Sequence, residues 1–295
     1  MTWEGVGTAL VTPFDRNGRI DDTALQKLVR RQVEGGVHFL VPCGTTGETP
    51  TLSREERDRV IRLTLEAVEG RIPVLAGAGG YDTAGVAELA AHCEVLGVQG
   101  LLSVTPYYNK PTPEGLVQHY KAIAARTSLP IIVYNVPGRT GCNVDPATLR
   151  RLADIPNIVG VKEASGNMTQ MCEVCRTVPP DFVVLSGDDA LTLPLMAVGG
   201  RGVISVASNV VPDGMARMVS AALKGDWASA RAEHGRLLPF MLVNFVESNP
   251  IPVKAALAML GLCDEVYRLP MVPPGDASRT TIRQRLVELG MLSWP

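Results

Sequence analysis

Lys162 is the residue whose type and setting most clearly offer chemistry. It closes Ile158-Val159-Gly160-Val161, an apolar run that reads as a buried strand. Desolvation disfavours an ammonium, so a lysine there is poised as a free amine, the nucleophile that forms a Schiff base with a carbonyl substrate. The plain alternative is a strand-end lysine that snorkels to water. The neighbours weigh toward chemistry. Tyr134 lies in the preceding apolar run and Tyr108 follows the one before that. Both phenols project, by position, toward the mouth that would hold Lys162, and a phenol donates and accepts a proton through one oxygen. Thr45 and Thr46 occupy a glycine-flanked turn whose N–H groups and hydroxyls suit a carboxylate. Arg139 follows the Tyr134 run and offers a planar two-pronged clamp for a carboxylate.

Other polar groups point to less. Asp188-Asp189 could suggest Mg²⁺, but adjacent acids after a strand read better as turn and helix-cap residues. Glu48 and Glu163 show no obvious partner. Cys172 and Cys175 have a CxxC spacing, yet no second pair follows and the segment reads as a helix over 167–178. All six cysteines are expected to be reduced, buried small hydrophobes. The four histidines show no ligand spacing and read as surface or capped residues. No metal and no cofactor is expected.

These residues must be positioned by something, and the chain's periodicity supplies it. Short apolar runs appear at Gly7–Val11, Phe39–Cys43, Ile72–Gly77, Gly100–Val104, Ile131–Asn135, Ile158–Lys162, Phe182–Ser186 and Gly202–Ser205. They lack polar alternation, as strands covered on both faces do. Helical patterns separate them, several with start signals: the capping box Ser53–Glu56, and Thr112-Pro113 and Asp145-Pro146. Eight βα units in succession close into a (β/α)₈ TIM barrel, whose active site lies at the C-terminal strand ends. An open doubly wound sheet would favour GxGxxG after the first strand, and Val11-Thr12-Pro13-Phe14 is nothing like it. The barrel is expected over residues 1–224. Residues 225–295 form a C-terminal helical domain, with helices at Trp227–Val243, Pro252–Leu260 and Arg279–Leu289.

Composition narrows the field further. With 46% hydrophobic residues and a net charge of −2, neither disorder nor an electrostatic nucleic-acid surface is expected. No apolar run is long enough for a membrane span, and Met1-Thr2-Trp3-Glu4 lacks a signal-peptide pattern, so the cytoplasm is the expected compartment. Of 28 basic residues six are lysine, and only Lys162 ends an apolar strand between tyrosines. Lys27 and Lys121 fall in amphipathic helices, Lys110 in a polar loop, Lys224 at the end of the barrel and Lys254 on an appended helix.

Five segments then carry a resemblance: Gly44-Thr45-Thr46-Gly47-Glu48, Thr105-Pro106-Tyr107-Tyr108-Asn109, Tyr134-Asn135-Val136-Pro137, Lys162-Glu163-Ala164-Ser165 and Asn249-Pro250-Ile251-Pro252-Val253-Lys254. In this order they resemble the dihydrodipicolinate synthase/N-acetylneuraminate lyase family of class I aldolases. The resemblance implies a (β/α)₈ barrel, an imine between Lys162 and pyruvate, and no cofactor. It implies proton transfer through Tyr134, Thr45 and Tyr108, and Thr46 on the pyruvate carboxylate. Gly187 and Ile204 match positions whose carbonyls line the site. Val136-Pro137-Gly138-Arg139-Thr140-Gly141 resembles the synthase branch, whose Arg takes the carboxylate of L-aspartate-4-semialdehyde; that branch opens the diaminopimelate route to lysine. The alternative is another pyruvate-dependent aldolase of the family, an N-acetylneuraminate or 2-keto-3-deoxy sugar-acid lyase. Such lyases usually lack that Arg. A homotetramer of tight dimers is also implied, with Tyr108 crossing an interface into its neighbour's site. One departure is visible. Members inhibited by L-lysine commonly place Asn and Glu where this chain has Tyr81 and Gly85, and often His where it has Arg54 and Arg57. Weak or absent lysine feedback is the expectation.

Overall fold

The structure is a computed structural model that describes residues 3–293; Met1 and Thr2, part of the segment read above for a signal-peptide pattern, lie outside them. Eight parallel strands run in chain order: β1 Gly5–Ala9, β2 Phe39–Val41, β3 Leu75–Gly77, β4 Gly100–Val104, β5 Ile131–Asn135, β6 Ile158–Glu163, β7 Val183–Ser186 and β8 Gly202–Ser205. Their hydrogen-bonded order is β2-β1-β8-β7-β6-β5-β4-β3. A further parallel bridge from Leu40 to Val74 joins β2 to β3 and closes the ring. This is the expected (β/α)₈ barrel, with helices around it and more helices after it.

Each strand splits its apolar residues between two cores. Ile132 and Tyr134 of β5 point into the barrel with Leu102, Leu185 and Ile204. Ile131 and Val133 point outward against the helical shell. That is why the strands carried no polar alternation: both faces are covered. Burying each such Ile or Leu contributes about 1.5–3 kcal/mol. The helices begin as their signals said. Ser53 and Glu56 form a reciprocal capping box at Arg54–Val68, and Thr112 and Asp145 cap helices that open with proline.

Several boundaries differ from expectation, each with a local cause. β1 lies at Gly5–Ala9 and not Gly7–Val11, because its ladder is set by pairing Gly5 with Gly202 on β8. β2 stops at Val41, since Cys43 turns into the left-handed region at φ 58°. β3 starts at Leu75, after Pro73, which has no N–H to give a ladder. The last helices run Trp227–Val243, Ile251–Met259 and Asp276–Glu288, the third starting earlier than Arg279. Among the described residues no helix is long and apolar enough to cross a membrane.

Candidate functional site

The C-terminal strand ends bring Tyr134, Thr45 and Arg139 to one cavity, with Lys162 packed on Tyr134. On β5 and β6, Tyr134 is in register with Lys162, and Asn135 with Glu163. Lys162 is buried, and its Nζ lies 4.3 Å from the centre of the Tyr134 ring. On the other flank of β6, Lys162 is opposite Leu185. The amine is therefore buried against an aromatic ring, with Leu185 across the ladder from its strand position.

The outward-facing neighbours fix this pair. Asn135 Nδ2 donates to Glu163 Oε2 at 2.9 Å, and the Val144 N–H donates to Asn135 Oδ1 at 3.0 Å. The Ser165 N–H donates to Glu163 Oε1 at 2.7 Å. Glu163 thus has partners, contrary to the sequence reading. It clamps the ends of β5 and β6 from behind.

The turn after β2 is a single 3₁₀ turn, Thr45–Gly47, flanked by Cys43 and Glu48 in the left-handed region. It is pressed against β3: a Cβ on Gly77 would come within 1.9 Å of the Cys43 carbonyl oxygen, so only glycine fits there. Thr46 is buried, and its Oγ1 accepts from Asn249 Nδ2 at 3.0 Å. Thr45 lines a cavity of about 270 Å³ together with Tyr107, Tyr134, Arg139 and Arg57. Arg139 follows β5 on a short helical turn, Pro137–Thr140, and its Nη2 donates to the Asn249 carbonyl at 3.3 Å. Lys162 is not among the lining residues; it meets the cavity through Tyr134.

Gly187 packs on the end of β6, where its N–H donates to the Glu163 carbonyl at 2.7 Å and a Cβ would strike Ala164. Ile204 is wholly buried in the inner core that also holds Tyr134. Tyr108 differs from its positional reading. It stands at φ 70° with 94% of its surface exposed, and it does not line the cavity of its own chain. Tyr107 does, packed edge-to-face on Tyr81 with ring centres 5.3 Å apart.

Other expectations are corrected. Asp189 does not cap the helix that follows it. Its buried Oδ2 accepts from the Val206 and Ala207 N–H groups beyond β8, at 3.0 and 2.8 Å. Burial raises its pKa, and these donors oppose that rise. Glu48, read as unpartnered, is buried against Lys254 with Oε1 to Nζ at 2.5 Å. The two are 206 positions apart, so no local signal linked them. Cys172 is exposed and Cys175 half-buried, so the cysteines are not uniformly core residues. His119 is buried and bonded to Thr83 Oγ1, not a surface residue. Among the described residues no group of three or more His, Cys, Asp or Glu side chains is placed to hold a metal. Asn249 was quoted within a motif but given no role; its reach to Thr46 and Arg139 appears only once the chain is folded.

Comparison with known proteins gives a consistent outcome. The profile of the dihydrodipicolinate synthetase family matches residues 2–289. A 4-hydroxy-tetrahydrodipicolinate synthase from Koribacter versatilis is 54% identical over 293 residues, covering 99% of this chain and 98% of the relative. The chloride-inhibited dihydrodipicolinate synthase of Acinetobacter baumannii, solved with pyruvate, superposes with a TM-score of 0.97 at 42% identity, covering 99% of this chain and 100% of that one. A structure described as the first monomeric dihydrodipicolinate synthase variant superposes with a TM-score of 0.96 at 47% identity, covering 98% of this chain and 97% of that one.

Proposed function

The chain belongs to the dihydrodipicolinate synthetase family, and we propose that its reaction is carried by Lys162 and the groups gathered around it. The activity is that of a 4-hydroxy-tetrahydrodipicolinate synthase, a lyase that condenses pyruvate with L-aspartate-4-semialdehyde. The observation that most supports Lys162 is its register opposite Tyr134 in the barrel mouth.

The Lys162 amine attacks the pyruvate ketone, and loss of water leaves an imine. Removal of a proton from the pyruvate methyl gives the enamine, which attacks the aldehyde carbon of the second substrate. Tyr134 gives the proton with which the carbinolamine oxygen leaves as water and takes the one that the methyl carbon loses. Thr45, beside it in the cavity, passes them toward Tyr108. Thr46 and the N–H groups of its turn hold the pyruvate carboxylate, and Arg139 holds that of the semialdehyde. The carbonyls of Gly187 and Ile204 line the far side of the site. The semialdehyde amine finally displaces Lys162 and closes the ring, returning the free amine.

The exposed Tyr108 is used by a neighbouring copy in this reading, within a homotetramer built of tight dimers. The barrel over 1–224 carries the chemistry, and 225–295 is a helical unit that braces it. Six free cysteines suit a reducing compartment, and the cytoplasm is the proposed location.

Borohydride reduction in the presence of pyruvate, followed by mass spectrometry, tests the central step. A pyruvate adduct on Lys162 is expected. No adduct, or one on another lysine, overturns the assignment. A coupled assay then compares semialdehyde condensation with cleavage of sugar acids; condensation is the expected activity.

A further inference from the structure

The turn Gly44–Glu48 is held from outside the barrel. Glu48 closes it in the left-handed region and does not line the cavity. Its Oε1 accepts from Lys254 Nζ at 2.5 Å, and its Oε2 accepts from the Arg268 N–H at 3.1 Å. Lys254 is completely buried, with Nζ 4.1 Å from the centre of the Phe14 ring. Burial lowers the pKa of this amine, and the Glu48 carboxylate opposes the fall. A buried ion pair is poor value as a stabiliser, because well-packed apolar residues do as well or better; its better-attested use is to fix geometry.

A second tether starts at Asn249, just ahead of the helix Ile251–Met259 that carries Lys254. Asn249 donates to Thr46 Oγ1 at 3.0 Å, while its own Oδ1 is buried with no partner. Its carbonyl accepts from Arg139. A segment from Asn249 to Lys254, outside the barrel in sequence, therefore touches both proposed carboxylate subsites. We propose that Glu48, Lys254 and Asn249 are positioning residues through which helix Ile251–Met259 sets the geometry of the pyruvate-carboxylate turn. This rests on the reading of Thr45 and Thr46 as that subsite.

The kinetic signature follows from the covalent step. Before the imine forms, pyruvate is held by the turn; afterwards it is held by Lys162. Loosening the turn therefore weakens capture of pyruvate more than later steps. Glu48→Gln, Lys254→Met and Asn249→Ala are each expected to raise KM for pyruvate by roughly tenfold or more, the scale of one charged or buried hydrogen bond. At saturating pyruvate, kcat and KM for the semialdehyde stay within about threefold. The double variant Glu48→Gln/Lys254→Met, which leaves no unpaired charge, recovers part of the loss. Equal decline of kcat and both KM values, or an unchanged KM for pyruvate, overturns the proposal. Should Lys254→Met not fold, Glu48→Gln and Asn249→Ala, which leave no buried charge without an acceptor, decide it by the same criteria. Thr46→Val separates the two levels. If it leaves KM for pyruvate unchanged, the subsite reading has failed; if it raises KM while the other variants do not, only the positioning proposal has failed.

Discussion

Tyr134 and Lys162 face each other because β6 carries one more residue than β5. Ile131 pairs with Ile158, but Ile132 pairs with Gly160, so Val159 is extra. Without that irregularity Val161 would stand opposite Tyr134. The switch also explains why Ile158 and Val161 both pack against the outer core, which strict alternation forbids. A bulge next to a site commonly re-aims one side chain, and here it turns the amine inward.

From this contact comes the first prediction. Tyr134→Phe keeps the ring beside Lys162 and removes only the hydroxyl. It should lower kcat by roughly 10²–10⁴, the usual contribution of a positioned proton carrier. Borohydride trapping of pyruvate should be slower yet still reach Lys162, and the unfolding midpoint should change little. Turnover within a few fold of wild type would remove Tyr134 from proton transfer.

Tyr108 calls for a different test, because it is almost fully exposed and absent from its own cavity. If a neighbour uses it, activity should depend on assembly. Specific activity should fall on dilution in step with dissociation measured by sedimentation. Tyr108→Phe should lose activity without losing assembly. A monomer as active per chain as the assembled protein would refute the crossing of Tyr108 between copies.

How much of this was legible beforehand depended on range. Lys162, Tyr134 and Arg139 could be singled out because strand ends can be read locally from an apolar run and the residue that breaks it. β4, β5 and β8 were placed to the residue for the same reason. Glu48 and Lys254 were both visible in quoted motifs, but nothing local pairs residues so far apart. Asp189 was misread because its donors lie after the next strand, and an acid after a strand is locally indistinguishable from a helix cap. The orientation of Tyr108 was hidden too: a positive φ at a non-glycine residue is set by its loop, not by its type.

The region matching the lysine site of inhibited relatives gives the third prediction. Tyr81 is exposed and packed edge-to-face on Tyr107, while Arg57 lines the cavity and donates to the Thr49 carbonyl at 3.2 Å. An incoming ammonium meets an aromatic and cations where it needs a carboxylate. Loss of one charged hydrogen bond weakens binding by about 10–100-fold, so L-lysine should inhibit weakly or not at all. An inhibition constant in the micromolar range would contradict this. Restoring the acid by Gly85→Glu carries a penalty, because a Cβ there lies 2.9 Å from Asp82 Oδ2, which caps helix Thr83–Leu96. That variant should lose about 0.5–2 kcal/mol of stability if the cap is displaced, measured by denaturant unfolding.

Acid should destabilise the protein in two stages. Burial holds the His119 pKa at about 4, below its ordinary 6.5, with Nδ1 bonded to Thr83 and Nε2 buried without a partner. The folded state thus favours neutral imidazole. Its contribution is complete above pH 6.5 and is lost as pH falls through 4. The full difference is on the order of 3 kcal/mol. Glu56, beside the Arg268 guanidinium, is held at about 2 against an ordinary 4.5. Its contribution is present above pH 4.5 and disappears toward pH 2; partial exposure limits it to about 1 kcal/mol. Arg268 also donates to the Gly18 and Thr51 carbonyls, so it stays attached to the barrel when Glu56 is protonated and only the Glu56 contribution is lost. Denaturant unfolding at pH 7, 5.5, 4.5 and 3 measures both. His119→Phe should flatten the curve between pH 6.5 and 4, and Glu56→Gln should flatten it below 4.5. A wild-type stability that is level from pH 7 to 4 would rule out the buried neutral histidine as the first acid trigger.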